Sequence, residues 1–84
     1  MLSVEDIQVR ARERPFRPFR IVASSGETTD VTHPELIMVG QTHVVVGRPS
    51  PRRPGVFVKT VTIARMHITA LDDIPAQSPG QPGG

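Results

Sequence analysis

The chain has 84 residues, enough for one domain, with ten Lys and Arg against eight Asp and Glu and a formal charge of +2. It has no cysteine, which excludes disulfides and thiolate zinc sites. The opening, MLSVEDIQVRARER, is too polar for a signal peptide, and no apolar run approaches the ~20 residues of a membrane span, so a cytoplasmic location without membrane contact is expected.

Ser3 reads as a helix N-cap. Asp6 stands three residues on, in the capping-box position, and Leu2 and Ile7 occupy the two positions of a hydrophobic staple. Val4, Ile7 and Ala11 form one apolar stripe at helical spacing. Glu5 and Asp6 in the first turn and Arg10, Arg12 and Arg14 near the end suit the helix dipole. Pro15 stops the helix, which is predicted over residues 4–13. A helix that short is not stable alone and must pack on something.

Arg14 to Arg20 repeats the triplet Arg-Pro-Phe. With three residues per polyproline II turn, Phe16 and Phe19 fall on one side to dock, and Arg14, Arg17 and Arg20 on another. Phe19, Ile21 and Ala23 alternate with Arg20 and Ser24 as a first strand, and Ser24 to Glu27 makes a hairpin turn. Thr28 to Thr32 is β-prone, and His33-Pro34-Glu35 interrupts it. Leu36 to Val39 and His43 to Val46 are apolar strands around a Gly40-Gln41-Thr42 turn. Gly47 to Gly55 is a loop with three prolines and three arginines. Val56 to Ala64 is the longest strand, Arg65-Met66-His67 a short break, and Ile68 to Leu71 the last strand. The final stretch, PAQSPGQPGG, has no charge and no large apolar side chain and is expected to be a flexible tail. The expected domain is therefore 1–74, with a tail at 75–84. The predicted class is mainly β with one N-terminal helix: a small antiparallel barrel of the SH3-like or Sm-like kind, or a strongly bent sheet.

Helix, strand, Gly turn and extended second strand resemble the opening of bacterial Sm-like RNA chaperones, through Phe19-Arg20-Ile21-Val22 and Gly26. Arg65-Met66-His67-Ile68-Thr69 is similar to their basic residue and histidine before a final strand, although the spacing differs. Thr29-Asp30-Val31 stands where their second strand has a Gly. A closer resemblance is to short uncharacterised bacterial proteins that share a Pro-Phe-x-Pro-Phe-Arg-Ile opening (Pro15 to Ile21), a Ser-Gly turn (Ser25-Gly26), a His-Pro-Glu turn (33–35) and a Val-rich strand ending in Gly (His43 to Gly47). That resemblance implies a defined fold and no particular activity.

No phosphate-binding or metalloprotease motif is present, and His33, His43 and His67 show no ligand spacing. Ser24, Ser25 and Ser50 sit in turns that favour Ser anyway, with no base beside them. No catalytic residue, metal site or cofactor is therefore predicted, and the chain is not expected to be an enzyme. Two runs, Leu36–Val39 and Val44–Val46, are too continuously apolar for a strand with one wet face. Either the helix or a second subunit should cover them. Ile37, Val39, Val44 and Val46 are the expected interface, and self-association is the expected remedy for a small core. The leading expectation is a non-enzymatic protein–protein interaction or assembly module, acting as a homo-oligomer or with another protein partner. The alternative is an Sm-like RNA-binding ring, with Arg17, Arg20, Arg52 and Arg53 holding phosphates.

Overall fold

A computed structural model describes residues 2–75. The expected tail lies outside the described residues apart from Pro75. Two antiparallel three-stranded sheets enclose the core and do not close into a barrel. The chain is thus mainly β with one N-terminal helix, as predicted.

Helix α1 spans Val4–Ala11. Its start follows from the capping box: Ser3 Oγ accepts from the Asp6 amide at 3.1 Å, and Asp6 Oδ2 accepts from the Ser3 amide at 3.0 Å. These bonds, the one from the Ser3 backbone first, hold the Asp6 carboxyl below its ordinary range. Leu2 and Ile7 both reach the core, which is the hydrophobic staple carried into tertiary packing. The helix ends at Arg12, a little earlier than predicted, where the chain turns into the Arg14-Pro15 cis peptide.

The first sheet has the order β2-β1-β6, from Thr28–Val31, Phe19–Ala23 and Ile68–Asp73. Its central strand buries Phe19 and Ile21 and turns Arg20 outward, as period-two alternation requires. Gly26, at a φ of 92°, supplies the left-handed residue of the β1–β2 turn. The second sheet has the order β3-β4-β5, from Ile37–Val39, His43–Pro49 and Phe57–Ala64. The predicted interruption at His33-Pro34-Glu35 is a 3-10 turn over Pro34–Leu36, and the break at Arg65–His67 is another.

The core is Ile7 from the helix, Phe19, Ile21, Val31 and Ile68 from the first sheet, and Val44 and Val46 from the second. Phe16 docks beside Phe19, with ring centroids 6.0 Å apart. Arg65 ties the N-terminus to the β3–β4 turn: its Nη1 donates to the Leu2 carbonyl at 2.9 Å and its Nε to that of Gln41 at 3.2 Å. Among the described residues, no helix is long and apolar enough to cross a membrane.

Candidate functional site

The two arginine groups named from the sequence have different fates. Arg17 makes a two-pronged contact to Glu13, at 3.1 Å on each prong, and lies 3.9 Å from Asp73. Arg10 reaches the same Asp73 at 2.8 Å and stands over the Phe19 ring, 5.0 Å from its centroid. Arg20 grips Asp30 with two bonds of 2.7 and 3.2 Å. Arg17 and Arg20 therefore spend their charge within the fold.

Arg52 and Arg53 lie far along the chain on the tip of the β4–β5 hairpin. Their backbone is held, the two amides donating to Ser50 Oγ at 3.2 and 3.1 Å and the Arg53 carbonyl accepting from the Val56 amide. Behind them, Arg48 and Lys59 are directly opposed across the ladder. Among the described residues, no carboxylate lies within ion-pair distance of Arg48, Arg52, Arg53 or Lys59. Sequence reasoning grouped Arg48 with Arg52 and Arg53 but missed Lys59, although a signal was available. Residues 36–71 contain five cations and no Asp or Glu, whereas the rest of the chain carries all eight carboxylates against five arginines.

The four predicted interface residues are turned inward. Val44 and Val46 are buried in the chain's own core, and Ile37 and Val39 are half-buried and packed against it. The opposite face of the same sheet is the open one. Met38 is 71% exposed, and its cross-strand partner is the half-buried Val45, which pairs in turn with Thr62. Farther along, a β-bulge shifts the register so that Phe57 rather than Val58 opposes Pro49. The Phe57 ring thereby lies over Gly47, where a Cβ would come within 2.8 Å of it. Val58, alternating with Thr60 and Thr62, shares that face and is 65% exposed; Phe57 is 45% exposed. This outer face carries no charged side chain. By the same alternation, Arg48 follows Val46 and Lys59 follows Val61 on the inner face. The hairpin is thus apolar on one side and basic on the other.

The remaining polar groups assemble nothing further. His33 and His43 each contact a neighbouring threonine hydroxyl through Nδ1, at 3.2 and 2.9 Å. Among the described residues, no three metal-ligating side chains come together. A cleft of 710 Å³ beside Phe16, Pro18 and Ile74 has Arg17, Asp30 and Asp73 as its ionisable lining, and all three are already engaged in ion pairs.

Those pairs give the fold a measurable acid response. The Arg17 guanidinium, hydrogen-bonded to Glu13, holds that carboxyl below its ordinary value. Arg20 does the same for Asp30, with desolvation opposing and Arg48 adding to the effect. A lowered folded-state value contributes stability that is complete above the unfolded value and is lost as pH falls through the folded one. Stability measured by urea titration is therefore expected to be level above about pH 5 and to decline below about pH 4. Both pairs are solvent-exposed, so the decline is shallow and is reduced by added salt. Arg20→Gln flattens it further; an unchanged acid slope in that variant would show that the Asp30 pair does not couple to folding.

No family model, curated protein or solved structure matches the chain.

Proposed function

We propose that the chain is a non-enzymatic assembly module that self-associates through the outer face of the β3-β4-β5 sheet. One observation carries the reading: Met38, Phe57 and Val58 share a face that carries no charge and that no described element covers. Apolar side chains of this size contribute about 1.5–3 kcal/mol each when they leave water. A two-fold contact uses each of them twice. The sum, about 9–18 kcal/mol at full burial, is of the same order as an association cost of about 4–15 kcal/mol, so a concentration-dependent complex is expected rather than a permanent dimer.

Neutrality is the reason to favour a second copy as partner. The segment that builds this sheet holds five cations and no carboxylate, so self-contact through a charged face would be repulsive. The outer face avoids that, because Arg48 and Lys59 lie on the other side. The free edge of β5 borders the same face and offers unpaired backbone groups to an incoming strand.

Sedimentation equilibrium across micromolar to millimolar concentrations tests the reading. The wild-type chain is expected to show a concentration-dependent mass above that of the monomer. Met38→Glu combined with Val58→Glu should leave a folded monomer, since both positions are exposed. A wild-type chain that stays monomeric over the whole range, or a double variant that associates equally well, overturns it.

A further inference from the structure

The basic side of the β4–β5 hairpin goes beyond that reading. We infer that this hairpin is a two-stranded arm that binds double-stranded DNA, through phosphate contacts from Arg48, Arg52, Arg53 and Lys59.

Geometry is the first support. The β3 ladder reaches only to Val46, through the Ile37 pair. Beyond it, Gly47↔Thr60, Arg48↔Lys59 and Pro49↔Phe57 continue as a two-stranded ribbon with no third strand. Residues 51–60 are all exposed. Neighbouring strands are about 4.8 Å apart, and a two-stranded ribbon fits the roughly 12 Å width of the B-DNA major groove.

The tip is built rather than loose. The Ser50 amide donates to the Val56 carbonyl at 2.8 Å, and the Val56 amide donates to that of Arg53 at 3.2 Å. Ser50 Oγ takes the two arginine amides, and Gly55 turns the chain back at a φ of 79°. Arg52 and Arg53 are thus presented by a closed loop, which lowers the ordering cost of binding.

Charge is the second support, and it is placed against local stability. Arg48 and Lys59 are like charges directly opposed across a ladder, which is destabilising, and Asp30, the carboxylate that Arg48 acts on, is already gripped by Arg20. No described carboxylate forms an ion pair with either, although the chain pairs Arg10, Arg17 and Arg20 carefully elsewhere. A phosphate backbone neutralises all four cations at once, with counterion release.

The same features select duplex DNA over the other polyanions. Single-stranded RNA is held by stacking its bases on aromatic rings. The chain has three Phe and no Tyr or Trp; Phe19 is buried, Phe16 packs against the core, and Phe57 lies over Gly47 on the side away from Arg48 and Lys59. The major groove of duplex RNA is too deep and narrow for a ribbon to enter.

The test is a fluorescence-anisotropy titration of the full chain against a labelled mixed-sequence DNA duplex of about two helical turns, at several salt concentrations, with labelled oligo-U alongside. Four phosphate contacts predict a slope of log K against log salt of roughly −3 to −4. Arg52→Ser with Arg53→Ser is expected to weaken low-salt binding at least about tenfold and to bring the slope up by about 2. Arg12→Ser with Arg14→Ser, on the opposite part of the chain, should change neither. Circular dichroism confirms that the variants are folded, as expected for exposed tip residues. Three results overturn the inference: no duplex binding at low salt, equal binding by the Arg52/Arg53 variant, or tighter binding of oligo-U than of the duplex. The double variant at Met38 and Val58 separates the two readings, because losing assembly while keeping a salt-dependent duplex affinity leaves the arm standing alone.

Discussion

Phe19→Ala is expected to lose about 3–5 kcal/mol of folding stability, the cost of deleting a large buried aromatic side chain and leaving a cavity. Domains in general have only about 5–15 kcal/mol in total, and the smallest sit at the low end. Phe19 is fully buried and is the largest side chain so enclosed. It sits at the start of the central strand, paired to Val31 on one side and Asp73 on the other. Its ring is also the floor on which Arg10 lies and the wall against which Phe16 packs. Losing it therefore loosens the helix end, the Arg-Pro-Phe segment and the last strand together. Urea unfolding followed by far-UV circular dichroism reads the loss directly, since the chain has no Trp or Tyr to report by fluorescence. With a slope of about 1 kcal/mol per molar urea for so small a domain, the midpoint should fall by roughly 3–5 M or the chain should be unfolded in buffer. Phe16→Ala, at a half-buried ring, should cost clearly less. Equal losses at the two positions would contradict the core described above.

Much of this fold was legible locally. Ser3, Asp6, Leu2 and Ile7 announce the helix start because capping boxes and staples are short-range devices. The strands and turns follow from alternation and from Gly, Pro and Ser. What escaped was pairing at a distance. Arg20 looked available because Asp30 joins it only when β1 and β2 fold together, whereas the main partner of Arg17 is Glu13, only four residues back, a local signal that went unread. The arginine loop was also drawn too long: Gly47, Arg48 and Pro49 extend β4, which converts a loosely basic loop into a ribbon with two defined sides.

The apolar runs teach a related lesson about faces. Leu36 belongs to a 3-10 turn, so only Ile37, Met38 and Val39 are strand, and they alternate inward, outward, inward. Val44, Val45 and Val46 do the same. The excess of apolar side chains over a one-faced strand therefore reduces to Met38 and Val45. The surface left for a partner is the complement of the residues first named for it.

That exchange of faces can be tested by placing a carboxylate on each. Val44→Asp puts an ionisable group at a fully enclosed position in the core. An unpaired buried charge costs several kcal/mol, and the alternative of taking up a proton is itself unfavourable at neutral pH. Most or all of the domain's stability should go, and far-UV circular dichroism should show an unfolded chain. Met38→Glu, on the outer face of the adjacent strand, meets water and should shift stability by no more than about 0.5 kcal/mol. Its effect should appear in sedimentation, as weaker self-association. The two substitutions thus exchange phenotypes according to which side of one sheet they occupy. A folded, monomeric Val44→Asp variant would mean that the inward valines serve a subunit contact after all, and that the chain alone does not need them to fold.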